Sequence, residues 1–190
     1  MEIINQGLGG LFEILPEPHR DTRGFLSKIY DKEIFHKMGL NANFGFNKYF
    51  QYSKKKDTIR GLHIQLPPYT ETKIIYALEG EVKWVAVDLR KNSPTFGKWS
   101  AVDLLEGKGN GLYVSRGFAN GAISLTDNAR VFIEADQPYI DGYGVGVNWK
   151  DKELNIDWGL GGRTPIILER DDNYSSFGEF KIKHEGVVIQ

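Results

Sequence analysis

Apolar residues along this chain fall in short β-branched or aromatic runs, each closed by turn-forming residues. The clearest are 74–78 (IIYAL), 81–88 (EVKWVAVD), 111–114 (GLYV), 122–125 (AISL) and 130–135 (RVFIEA). Runs of this length and make-up predict strands. Between them stand Glu79-Gly80, Lys91-Asn92-Ser93-Pro94, the segment Glu106 to Gly111, and Thr126-Asp127-Asn128, all of them turn chemistry. Many short strands at this spacing predict an all-β sandwich or barrel. One short helix is expected at 31–38, with Asp31 as its N-cap, Ile34, Phe35 and Met38 on a shared face, and Gly39 as its stop. No repeat, low-complexity tract or linker interrupts the pattern, so residues 1–190 read as one domain. The stretch after Thr164 mixes charged and apolar residues and is expected to fold back over the sheet.

Composition narrows the classes. A chain of 190 residues can bury a substantial core, and 41% apolar with 26% charged residues is ordinary for a soluble domain. A formal net charge of −1 gives no general pull toward nucleic acid or an acidic membrane. No apolar run approaches the roughly 20 residues that span a bilayer. The start, Met1-Glu2-Ile3-Ile4-Asn5-Gln6, lacks the basic-then-apolar pattern of a secretory signal, so a cytoplasmic location is expected. The absence of cysteine removes disulfides, thiolate nucleophiles and cysteine-ligated zinc. His19, His36, His63 and His184 show no ligand-like spacing, so no metal is expected.

Candidate chemistry concentrates at Arg60-Gly61-Leu62-His63-Ile64-Gln65, with Lys73 opening the next apolar run. Histidine titrates near neutrality, which suits proton transfer, and the nearby cations suit an anionic substrate. The spacing adds a constraint. Arg60 and His63 are three apart, so a regular strand would point them to opposite faces. Both enter one cavity only if the backbone departs from regularity between them, and Gly61 is the residue that permits a bulge there.

These segments, taken together, resemble the cupin-fold nucleotide-sugar epimerases typified by the dTDP-4-dehydrorhamnose 3,5-epimerases. The similarity runs from about Gly10 to Asp171. It is carried by Asp21-Thr22-Arg23-Gly24-Phe25, the Arg60–Gln65 segment, Lys73, and Val85 to Arg90. It continues through Ser93-Pro94-Thr95-Phe96-Gly97, Arg116 to Gly121, Trp149-Lys150-Asp151 and Ile156-Asp157-Trp158. The resemblance implies a β-jelly roll, usually dimeric, free of metal and cofactor, acting on a nucleotide-diphosphate-linked 4-keto-6-deoxy sugar. It implies that His63 is the base and Asp171 its partner. Arg23, Arg60, Lys73 and Tyr139 would touch substrate, and Asn120 stands where relatives carry a second histidine. Arg23 and Arg60 suit a diphosphate, because guanidinium groups make bidentate charge-assisted bonds.

The departures are as informative. The tyrosine that serves relatives as general acid falls at Ile133, which has no exchangeable proton. An aspartate that usually lies near the base becomes Trp84, and two glutamates become Lys28 and Gly144. A one-residue gap upstream of Ser53 means that no role carries over to residues 47–51.

Each candidate has a plainer reading. His63 would be a structural histidine inside the barrel, Asp171 a solvated acid beside Asp172, and Arg23 or Arg60 a surface ion pair. Lys73 would be a strand-end charge, Trp84 simple core, and Arg170 a solvated tail residue. Lys54-Lys55-Lys56 reads as a solvated loop, and Gly107 to Gly111 as a turn. Two functions from different classes follow. The first is 3,5-, 3- or 5-epimerisation of a nucleotide-linked 4-keto-6-deoxy sugar through an enolate, with Ile133 favouring inversion at a single centre. The second is a catalytically silent relative that binds nucleotide sugar.

Overall fold

The structure is a computed structural model and describes residues 1–189. Thirteen strands and three short helices follow one another along the chain. The N-terminal part gives β1 (Glu2–Asn5), β2 (Leu11–Leu15), the hairpin β3 (His19–Asp21) and β4 (Gly24–Leu26), α1 (Lys32–Lys37) and β5 (Asn47–Ser53). The middle gives β6 (Ile59–Gln65), β7 (Lys73–Glu79), β8 (Glu81–Asp88), β9 (Trp99–Leu105) and β10 (Gly111–Val114). Then come β11 (Phe118–Ser124), β12 (Ala129–Ala135), β13 (Gly144–Gly146), α2 (Glu169–Asp172) and α3 (Phe177–His184).

The strands form two antiparallel sheets of six (β1-β2-β10-β7-β12-β5) and five (β13-β6-β11-β8-β9) that face each other as a cupin-type jelly roll. Alternation decides which side chain faces which layer. On β8, Val82, Trp84 and Ala86 point between the sheets, while Val85 and Val87 point outward. On β7, Ile75 and Ala77 point inward, while Ile74 and Tyr76 point out. The outer faces are covered as well. The segment after Thr164 does return over the five-stranded sheet, where Phe177 and Phe180 of α3 are buried against Val85 and Val87. Burying each such ring contributes about 1.5–3 kcal/mol. Covering both faces explains why the β8 sequence reads as almost continuously apolar.

Helix α1 lies under the other sheet and buries Phe35 beside Ile14 and Tyr76. Asp31 accepts from the Glu33 and Ile34 amides as the expected N-cap. Met38, expected on the buried face, is half exposed and forms the C-cap instead. The helix ends one residue too early to carry it inward. Among the described residues, no helix is long and apolar enough to cross a membrane.

Candidate active site

Strand β6 departs from regularity where the sequence demanded it. Against β11, Asn120 stands opposite His63 and Ala122 opposite Arg60, so three residues of β6 span two of β11. The extra residue is Gly61, whose φ is +116°. Its neighbours leave no room for a side chain, since a Cβ there would lie 2.7 Å from Gly121 Cα and 2.8 Å from the Asn120 carbonyl oxygen. The bulge turns Arg60 and His63 onto one face, between the sheets.

That face opens into a cavity of about 740 Å³, within the range of about 300–1,000 Å³ usual for small-molecule sites. Strand β6 supplies Arg60 and His63, β7 supplies Lys73, and β12 supplies Ile133. Tyr139 stands at the rim, well exposed, and Arg170 comes from α2. Beyond His63 the space continues as an inner chamber of about 140 Å³ that reaches Trp84 and Asn120. Arg60, Lys73 and Arg170 against Glu71 and Asp171 leave a formal surplus of one positive charge along this lining.

Helix α2 buries Asp171, whose side chain is 3% exposed, directly behind His63. The His63 Nε2–Asp171 Oδ1 distance is 3.0 Å. Arg170 Nε donates to the same oxygen at 3.0 Å, and the Gly61 amide donates to Oδ2 at 3.0 Å. Burial by itself would raise this carboxyl. The hydrogen bonds from His63, Gly61 and Arg170 outweigh it and hold the group at about 2, so it is ionised throughout the neutral range. A carboxylate on Nε2 fixes the neutral imidazole as the Nε2–H tautomer and leaves Nδ1 as the basic nitrogen. Tyr174 meets the His63 ring edge-on, at 5.8 Å between centroids. It can do so because its own ring lies against Gly146, where a Cβ would come within 2.2 Å of it. Burial pushes the Tyr174 hydroxyl, and that of Tyr49, above the ordinary phenol value.

Of the residues singled out in the sequence, His63, Asp171, Arg60, Lys73, Asn120 and Tyr139 converge on this space. Lys73 is not a bare charge there, since its Nζ lies 2.8 Å from Glu71 Oε1. Arg23 does not converge. It projects from the β3–β4 hairpin, 88% exposed, with its guanidinium on Asp21 two residues back, and it does not line the cavity. Tyr76 faces the other way and donates its hydroxyl to the Ile29 carbonyl, so it is no proton source for this cavity. Arg170, Tyr174, Glu71 and Tyr49 belong to the lining although the sequence gave them little or no weight. For Arg170 and Tyr174 a signal existed: they flank Asp171 at one and three residues, a spacing that a helical turn gathers on one side.

Residues 5–179 match the family model described as dTDP-4-dehydrorhamnose 3,5-epimerase. The Shigella flexneri protein of that name is 33% identical over 178 residues, covering 93% of this chain and 96% of the relative. The crystal structure of the Elizabethkingia anophelis NUHP1 dTDP-4-dehydrorhamnose 3,5-epimerase superposes with a TM-score of 0.90 at 33% identity, over 94% of this chain and 97% of that one. The Legionella pneumophila dTDP-6-deoxy-D-glucose-3,5-epimerase, solved in complex with dTDP-4-keto-L-rhamnose, superposes with a TM-score of 0.90 at 29% identity, over 100% of this chain and 98% of that one. The chain therefore belongs to the dTDP-4-dehydrorhamnose 3,5-epimerase family and is an isomerase, an epimerase of a nucleotide-linked sugar.

Proposed function

We propose that the chain inverts one of the two carbons flanking the ketone of a nucleotide-linked 4-keto-6-deoxy sugar, with His63 as the base. The observation that carries this is the His63–Asp171 pair inside the cavity. A hydrogen beside a ketone is weakly acidic because its carbanion delocalises onto oxygen. Removing it near neutral pH takes a positioned base and stabilisation of that oxygen. Nδ1 of His63 takes the proton, and ionised Asp171 stabilises the imidazolium that forms. Lys73 and Asn120 stand within the same lining to donate to the enolate oxygen. Arg60 and Arg170 hold the diphosphate, and Tyr139 borders the sugar or base at the rim.

Inversion requires a proton on the opposite face. Position 133 offers none. The phenol placed to substitute is Tyr49, which stands directly across from Ile133 on β5 and lines the same cavity. Water is the other source. Either donor supports turnover at one centre rather than two. The test is incubation with thymidine-, cytidine- and guanosine-linked 4-keto-6-deoxy sugars in D₂O, following label at C3 and C5 by NMR. Inversion with label at one carbon is the expected result. Tight binding with no label anywhere would instead make the chain a silent nucleotide-sugar binder.

A further inference from the structure

Among the described residues, two side-chain polar atoms are buried without a hydrogen-bond partner, and both belong to residues lining the inner chamber: Trp84 Nε1 and Arg60 Nε. Buried donors are almost always paired, and leaving one orphaned costs about 1–3 kcal/mol. Both residues border the same small space. The strand register explains their meeting. Arg60, Ala122 and Trp84 form one row across β6, β11 and β8, next to the row His63, Asn120 and Ala86. Adjacent strands lie about 5 Å apart. Ala122, in the middle of the row, offers only a methyl group, so no bulky side chain separates the long ones on either side of it.

Both atoms are N–H groups that can only donate. The remaining polar groups of the chamber are the amides of Gln51 and Asn120, the ammonium of Lys73, the guanidinium of Arg170 and the His63–Asp171 pair. The carboxylate of that pair is already bound by three donors. Two unspent donors beside a base form a site for an atom that only accepts. In a 4-keto sugar that atom is the carbonyl oxygen, which becomes more strongly accepting as the enolate forms. We infer that the chamber is an oxyanion site in which the indole N–H of Trp84 joins Lys73 and Asn120 in donating to the C4 oxygen of the sugar. The aromatic replacement of an acid at position 84 then does more than fill space. It puts a neutral donor where an acid could only accept. The inference rests on the epimerase reading of the same cavity.

The test uses the intact protein with 15N-labelled tryptophan. Its four indole N–H signals are few enough to resolve, and Trp84 is assigned by the signal lost in Trp84→Phe. The His63→Asn variant is titrated with a thymidine-, cytidine- or guanosine-linked 4-keto-6-deoxy sugar, and separately with the matching nucleoside diphosphate. The Trp84 signal should move downfield with the keto sugar and stay in place with the diphosphate. In the otherwise wild-type protein, Trp84→Phe keeps a ring but removes the N–H. It should lower kcat for exchange by about 10²-fold, the usual cost of one oxyanion donor, with diphosphate affinity unchanged. An unmoved Trp84 signal with keto sugar bound, or an undiminished exchange rate in the variant, overturns the inference. If His63→Asn is inactive while Trp84→Phe is not, the base reading stands and the oxyanion assignment alone falls. If the wild type binds keto sugar without exchange, the base reading falls, and the Trp84 signal still decides the chamber. If no keto sugar binds, both fall.

Discussion

The backbone amide of Gly61 donates to Asp171 Oδ2, so the bulge that aims His63 also grips the carboxylate that supports it. One residue sets the direction of the base and the position of its partner. Gly61→Ala is expected to damage both. The new Cβ would collide with Gly121 Cα and the Asn120 carbonyl, at a φ that favours glycine. A destabilisation of about 1–3 kcal/mol should appear in a urea melt, with exchange activity falling alongside it. A variant as stable and as active as the parent would mean that the bulge tolerates a side chain.

His63→Asn tests the base. Solvent deuterium incorporation into a turned-over substrate should drop by at least about 10²-fold, the usual contribution of general base catalysis. Chelation should have no comparable effect on the parent. Among the described residues no three histidine, aspartate or glutamate side chains gather as a metal site. Undiminished incorporation in the variant would remove His63 from the mechanism.

Asp171 makes a pH prediction. Its folded value, about 2, lies below the value of about 3.9 usual for an unfolded aspartate. The folded state therefore holds the proton less tightly than the unfolded one. The resulting stability, about 2–3 kcal/mol by linkage, is fully present above about pH 5 and is lost as the pH falls through 2. Parent and Asp171→Asn should differ in stability at pH 6 and converge under acid. A gap that stays constant from pH 6 to 2 would contradict the assigned ionisation.

Ile133→Tyr asks whether the second centre was lost with the tyrosine. The parent should invert and label one of C3 and C5, and the variant should begin to label the other. If the parent already labels and inverts both carbons as fast as it turns over, Ile133 is no limitation. Tyr49→Phe then separates the donors: a lost inversion with retained exchange identifies the phenol, and no change identifies water.

We expect a homodimer. Strand β5 is the outer edge of the six-stranded sheet and exposes Phe50 and Tyr52. The β3–β4 hairpin nearby in sequence exposes Phe25 and Leu26. An uncovered aromatic edge is a ready surface for a second copy. Light scattering at micromolar concentration should return twice the chain mass, and a clean monomer would count against the expectation.

Much of this was legible in the residues. Short β-branched and aromatic runs closed by turns marked the strands, and the three-residue spacing of Arg60 and His63 required the bulge at Gly61. Tyr76 could have been set aside by the same rule, because it alternates with Ile75 on β7 and so faces away from the inner layer. Asp171 was reachable only through resemblance, since no local pattern links residues 108 apart. Arg23 shows the opposite case. Its motif matched, yet a short exposed hairpin carries it away from the cavity of its own chain. Trp84 reads as core and is buried as core, and only its unpaired indole nitrogen sets it apart.

The distance in sequence between His63 and Asp171 bears on when the site comes into being. A chain is made from its N-terminus, and its early parts begin to fold before the rest appears. All thirteen strands lie ahead of α2. The sandwich and its cavity can thus be in place while the histidine still lacks its carboxylate. On the proposed mechanism the histidine gains its support only when α2 docks behind β6, late in the growth of the chain. Any fragment ending before that helix would keep His63 but lack its carboxylate, and would lack the Phe177 and Phe180 rings that cover the five-stranded sheet.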